Sequence, residues 1–225
     1  MSSAQEEGWI GRRVGAMIRR SVRKSFKGVF LHQDSFKPDP DAGPYIFAVN
    51  HHGWFDGYLM FHLVTHLGIR CLDWIQEFDA FPLFAKVGGM PFPADRPEVR
   101  TATIRRTIRL MREDKRSLVL FPEGVLHYPP EILPFGATLR FVAEHANATV
   151  VPVAIRYEMA IHQRPEAFIR IGSSVNADIC RESLVDHLVC LTHDIRENRN
   201  RFTLLARGTD SVNERWDMRR IPKRK

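Results

Sequence analysis

Two short constellations in this 225-residue chain carry side chains suited to moving a proton and holding a hydroxyl-bearing ligand. The first is Asn50-His51-His52-Gly53-Trp54-Phe55-Asp56. A histidine takes a proton from a hydroxyl when its ring is held in one tautomer, and a carboxylate accepting a hydrogen bond from the other ring nitrogen provides that. Four residues separate His51 from Asp56, so a turn entering a helix brings the carboxylate beside the imidazole. His52, three residues from Asp56 by the same count, competes for the role of base. The structural alternative is an Asp56 that only caps a helix, with both histidines filling a turn. The second constellation is Phe121-Pro122-Glu123-Gly124, at the end of an apolar run where α/β sheets usually bind ligands. A Glu in a Pro-Glu-Gly turn can accept hydrogen bonds from a polyol or orient a base, and its structural alternative is a turn with an exposed carboxylate.

Together, an H-x4-D turn and an FPEG turn about 70 residues later resemble the signature of the glycerolipid acyltransferase family, the group that includes lysophosphatidate acyltransferases. Val151-Pro152-Val153 looks like that family's fourth block and Arg96, in Ala94-Asp95-Arg96, like its second, so the resemblance spans residues 45–156. It implies direct transfer of an acyl group from a thioester, on coenzyme A or acyl carrier protein, to a hydroxyl of a lipid acceptor, with no cofactor and no covalent intermediate. His51 is then the general base and Asp56 its orienting partner. Arg96, Pro122, Glu123 and Gly124 form the acceptor-binding set, and Pro152 shapes the floor. The oxyanion that develops needs donors, for which the backbone amides of residues 50–54 are the expected source. Two departures from the family pattern bear on the acceptor. The nearest glycine before Arg96 is Gly89, seven positions earlier instead of five, and FPEG continues as Val125-Leu126-His127-Tyr128, without the family's arginine that helps hold a phosphate. The expected acceptor is therefore a neutral or glycosylated lipid hydroxyl more than a lysophosphatidate.

The elements that must position these residues alternate. Strands are expected over 45–49, 69–75, 118–121, 149–156 and 168–171, and helices over 56–66, 77–86, 98–115, 136–146 and 178–202. That order predicts a single α/β domain with a mixed or mostly parallel central sheet flanked by helices. Arg105, Arg106, Arg109, Arg112 and Arg116 read as a solvated helix face, although phosphates of coenzyme A or lipid are possible partners. Trp54 and Phe55 either border an acyl channel or belong to the core.

Ahead of that domain, residues 9–31 space Trp9, Ile10, Val14, Met17, Ile18, Val22, Phe26, Val29 and Phe30 at three and four, with seven Arg and Lys between them and no acidic residue. This is the pattern of a basic amphipathic helix that lies on a lipid surface or packs on the core. The expected organisation is a membrane-surface helix in 1–33, a Pro/Asp/Gly-rich linker in 34–44, an acyltransferase domain in 45–210 and a basic tail in 211–225.

Charge arithmetic supports a localised anionic partner. The net charge of +7 divides into −2 for residues 1–8, +7 for 9–31, −3 for 32–214 and +5 for 215–225. A nearly neutral body with two basic ends favours an anionic membrane surface and no nucleic acid. Three cysteines without metal or disulfide spacing point to a reducing compartment. No apolar run approaches the roughly 20 residues of a spanning helix, and the arginines of the N-terminal segment break up any secretory h-region. The expected location is peripheral, on the cytosolic face of the membrane. The competing reading is a basic lipid- or nucleic-acid-binding module without catalysis.

Overall fold

Residues 45–49 (YIFAV) are apolar at every position and fully buried, the mark of a strand covered on both faces. In the computed structural model, which describes residue 6, residues 8–159 and residues 161–216, they form β2 (Tyr45–Val49) near the middle of one eight-stranded sheet. The other strands are β1 (Gly28–His32), β3 (Cys71–Ile75), β4 (Gly89–Pro91), β5 (Ser117–Leu120), β6 (Thr149–Glu158), β7 (Glu166–Ile171) and β8 (Phe202–Arg207), in the order β4-β3-β5-β2-β6-β7-β1-β8. Five neighbouring pairs are parallel, and the β6/β7 and β1/β8 pairs are antiparallel.

The alternation of side chains along β2 divides the core. Tyr45, Phe47 and Val49 pack with Val22, Leu59, Leu63 and Val64, on helices α1 (Gly8–Ser25) and α2 (Asp56–Leu67). Ile46 and Ala48 face the opposite way, onto α3 (Pro97–Asp114) and α4 (Thr138–Ala146) through Met111, Leu139 and Val142. Helix α5 (Cys180–Glu197) covers the remainder of that second face with Leu184, Leu191 and Ile195. The fold is thus a single α/β domain with a mixed, mostly parallel sheet, as the sequence predicts.

Its N-terminal boundary differs from the expectation. The predicted helix over 9–31 ends at Ser25, and residues 28–32 turn into an inner strand paired with β7 and β8. Val29 and Phe30 continue the helical spacing by coincidence; pairing with strands more than 130 residues away decides their conformation. The apolar face of α1 is not free for lipid either, because Gly11, Val14, Gly15, Ile18 and Val22 are buried. Residues 34–44 are consequently a connection within one domain: the Phe36 amide donates to the Ile171 carbonyl at 2.9 Å, and the Tyr45 hydroxyl donates to the Asp39 carbonyl at 3.0 Å.

Two further expectations change. Residues 77–86, read as a helix, form two 3₁₀ segments, Phe78–Ala80 and Pro82–Val87, with Pro82 interrupting the run. The long helix over 178–202 stops at Glu197, and Phe202–Arg207 becomes the sheet edge β8. Of the basic tail, residues 211–216 are described: α6 (Val212–Arg215) carries a capping box from Ser211 and Glu214, and Lys27 makes ion pairs with Asp210, at 3.2 Å, and with Glu214. The rest of the tail lies outside the described residues.

Candidate active site

Register places both sequence constellations at one edge of the sheet. Ala48 of β2 pairs with Leu120 of β5 in parallel, so residues 50–56 and the turn Phe121-Pro122-Glu123-Gly124 leave neighbouring strands side by side. The Asn50 side chain docks the first loop onto β6, accepting from the Ile155 amide at 2.7 Å and donating to the Ile155 carbonyl at 3.0 Å. In the second, the Gly124 amide closes the turn on the Phe121 carbonyl at 3.0 Å, with Gly124 at φ 75°, a left-handed angle that glycine adopts without strain.

His51 and Asp56 meet. His51 Nδ1 lies 3.0 Å from Asp56 Oδ2, and that carboxylate, wholly covered, also accepts the Gly53 amide on Oδ2 at 2.9 Å and the Tyr157 hydroxyl on Oδ1. A carboxylate on Nδ1 fixes the proton there and leaves Nε2 with its lone pair. The ring stacks on Phe121 at 4.3 Å between centroids and borders a cavity of about 640 Å³, within the usual range for ligand sites. Both ring nitrogens of His52, the competing candidate, are engaged. Its Nε2 donates to the Glu131 carbonyl at 2.9 Å, and its Nδ1 accepts from Asn50 Nδ2 at 3.1 Å.

The cavity has a buried apolar end and an exposed apolar rim. Ile18, Phe61, Val64, Cys71 and Val87, all buried, line one part, so the inward face of α1 helps build the cavity wall. Trp54, Phe81 and Leu126 line it as well and are 63%, 45% and 50% exposed, an apolar rim open to the surroundings. Phe55 instead packs on the core, edge-on to Phe26 at 5.1 Å.

The FPEG turn is brought to the site, where Glu123 lines the cavity while its carboxylate binds protein groups. The Glu123 side chain is wholly covered. Its Oε1 accepts the His51 amide at 2.8 Å, and its Oε2 accepts the Leu133 amide at 2.7 Å and faces His127 Nε2 at 2.5 Å. Both carboxylate oxygens are thus spent on protein groups. Pro122 and Gly124 line the cavity beside it, whereas Pro152 is buried in the sheet opposite Ala48. Of the amides expected to supply oxyanion donors, those of His51 and Gly53 are engaged by Glu123 and Asp56.

Arg96 lies outside the cavity. It is exposed at the start of α3 and pairs with Asp79 at 2.6 Å. One helical turn later, Arg100 lines the cavity, its guanidinium 4.7 Å above the Phe92 ring. Among the described residues it is the only Lys or Arg that does so. Arg105, Arg106, Arg109 and Arg112 are exposed on α3, as a solvated face would be.

Sequence reading missed three further residues. Tyr157 falls one position beyond the predicted end of its strand. Arg100 is one of many arginines on a helix whose facing is not visible in the sequence. Asp73 interrupts the apolar β3 and lines the cavity; its polarity inside a strand was the available signal. Desolvation raises the Asp73 pKa to about 7, against the opposing pull of the nearby His51 ring. As to metals, His52, Glu123 and His127 each bring a ligating atom within 4.8 Å of the others. Their atoms are committed to Asn50, Glu131, Tyr128 and two backbone amides, so the group reads as a hydrogen-bond network tying the loop to the turn.

No curated protein matches the chain. Among solved structures, the fold is similar to the crystal structure of the 1-acyl-sn-glycerophosphate acyltransferase PlsC from Thermotoga maritima, with a TM-score of 0.51 and 17% identity, over 84% of this chain and 79% of that one. A family model described as Acyltransferase matches residues 29–156, more than half of the sequence and the span that holds the His51–Asp56 pair and the FPEG turn. The chain belongs to the acyltransferase family.

Proposed function

We propose that the protein transfers a fatty acyl group from an acyl thioester, on coenzyme A or acyl carrier protein, to a hydroxyl of a lipid acceptor: a lysophospholipid, glycerolipid or glycolipid. The observation that carries this reading is the His51–Asp56 pair at the cavity wall, with Nδ1 held by the carboxylate at 3.0 Å. His51 Nε2 takes the proton as the acceptor oxygen bonds to the thioester carbonyl carbon, and Asp56 stabilises the imidazolium that results. The tetrahedral oxyanion collapses, the C–S bond breaks, and the proton on Nε2 passes to the departing thiolate. No acyl-enzyme forms and no cofactor takes part.

Among acceptors, those without a phosphate fit best. The cavity lining offers Arg100 against Asp73, Glu77 and Glu123, while Arg96 is paired outside it. A dianionic headgroup would meet three carboxyl side chains and one cation, whereas sugar or glycerol hydroxyls can donate to the carboxyls and accept from the guanidinium. The apolar rim of Trp54, Phe81 and Leu126 and the exposed arginines of α1 suit a peripheral position on an anionic membrane, on its cytosolic face, with no nucleic-acid partner.

The test is a matched panel of lysophosphatidate, uncharged lysolipids and glycolipid alcohols, offered with acyl-coenzyme A and with acyl carrier protein thioester. Transfer to an uncharged alcohol is expected, with His51→Ala inactive and Asp56→Asn slowed by about 10³-fold or more. Full transfer by His51→Ala would overturn the base assignment, and markedly faster acylation of lysophosphatidate would overturn the acceptor class. No transfer to any acceptor, with salt-sensitive nucleic-acid binding, would favour a binding module.

A further inference from the structure

Asp56 is a carboxylate closed off from the surface. Its side chain is wholly covered, and its Oδ2 serves two donors, the His51 ring and the Gly53 amide. The torsion that turns a carboxylate plane has a broad profile. An Oδ1 with no partner would leave the group free to rotate and surrender the His51 contact, besides leaving a buried charge short of hydrogen bonds. Tyr157, near the end of β6, donates its hydroxyl to that Oδ1.

The surroundings are built around this ring. A Cβ on Gly53 would come within 2.3 Å of Tyr157 Cε2, so a glycine in the catalytic loop is what lets the loop lie against the phenol. Phe26 stacks on the same ring at 5.8 Å between centroids. Burial and the Asp56 charge both push the phenol pKa well above its usual value, so the hydroxyl stays a donor.

We propose that Tyr157 is a positioning residue for acyl transfer, the outer member of a Tyr157–Asp56–His51 relay that fixes the carboxylate plane and through it aims the imidazole at the acceptor hydroxyl. The proposal rests on His51 as the base. It acts on the turnover step, since Tyr157 is not among the residues lining the His51 cavity.

The test uses the full chain with the best acceptor of the panel, comparing Tyr157→Phe, Phe26→Leu and His51→Ala by steady-state kinetics, thermal melting and proton NMR of the low-field imidazole N–H, assigned by its loss in His51→Ala. Tyr157→Phe keeps the ring and removes only the hydroxyl. Its kcat is expected to fall about tenfold, the size typical of residues that orient a ligand through a hydrogen bond, with KM little changed and the low-field resonance shifted or broadened. Phe26→Leu disturbs the same packing without touching the relay, so it should lower the melting temperature and leave the resonance in place. A Tyr157→Phe enzyme with kcat within about twofold of wild type and an unmoved resonance, while His51→Ala is inactive, would overturn the relay and leave the base assignment standing. Full activity in His51→Ala would overturn both.

Discussion

The backbone amide of His51 donates to Glu123 Oε1 at 2.8 Å, which ties the loop after β2 directly to the turn after β5. On the proposed mechanism, a residue expected to hold the acceptor instead holds the base in register. In Glu123→Gln the shape is kept, but one oxygen becomes an NH₂ that must face an N–H donor. A loss of about 2 kcal/mol of stability is expected from the lost charged hydrogen bonds, together with a fall in kcat at nearly constant acceptor KM. Denaturant unfolding and steady-state kinetics check this. A headgroup ligand would show the converse, a raised acceptor KM with unchanged stability.

Arg100 and Arg96 make a second contrast. Arg100 lines the cavity, and Arg96 pairs with exposed Asp79 in a neighbouring pocket that shares Gln76, Glu77 and Ala94 with it. Arg100→Ala should raise the acceptor KM about tenfold, the equivalent of one charge-assisted hydrogen bond. Arg96→Ala should alter it by about twofold or less, since exposed ion pairs contribute little. Parallel KM measurements on one acceptor decide the matter, and a reversed order would return the binding role to Arg96.

Asp73 gives the fold a pH dependence with a defined sign. Its pKa rises from 3.8 to about 7 on folding because the carboxyl is desolvated beside the cavity. Between those values the folded state binds more protons than the unfolded one, so the Asp73 contribution makes stability decline as pH rises from about 4 through 7. The shift sets a ceiling of roughly 4 kcal/mol, and water entering the open cavity reduces it. Asp73→Asn is expected to stabilise the protein by about 2 kcal/mol at pH 8 and hardly at all near pH 4. Urea unfolding at the two pH values checks this, and equal effects at both would refute it.

The parts of the fold legible in the sequence were those set by local pattern. Continuous apolar runs marked β2, β5 and β6, and the H-x4-D spacing brought His51 to Asp56 through one turn. The rest depended on partners far along the chain. β1 reads as the end of a helix until β7 and β8 pair with it, and the half-buried β8 carries too weak an alternation to interrupt a helical reading. The resemblance singles out Arg96, whereas Arg100, one helical turn further along α3, is the arginine that lines the cavity. Tyr157 reaches Asp56 across 101 positions, a relation no short pattern encodes.

Helix α1 divides its two faces between separate tasks. Val14, Ile18 and Val22 are buried, and Ile18 also lines the cavity. Arg12, Arg13, Arg20, Arg23 and Lys24 are exposed beside Trp9 and Met17, while Arg19 and Lys27 are held by Glu6 and by Asp210 and Glu214. Membrane attraction should therefore come from five charges and two apolar tips, with the hydrophobic stripe unavailable. At about 1 kcal/mol per cation near an anionic surface, replacing Arg12 and Arg20 by Gln should weaken binding to phosphatidylserine-containing vesicles about tenfold or more. High salt should release the wild type, because the screening length shrinks from about 8 Å at physiological ionic strength to about 3 Å at 1 M. Ile18→Ala should instead cost about 2–4 kcal/mol of stability through the space it opens and leave vesicle affinity unchanged. Sedimentation with anionic and neutral vesicles separates these effects. Equal binding to both kinds of vesicle, or binding indifferent to salt, would mean that the arginine face of α1 does not carry the attachment.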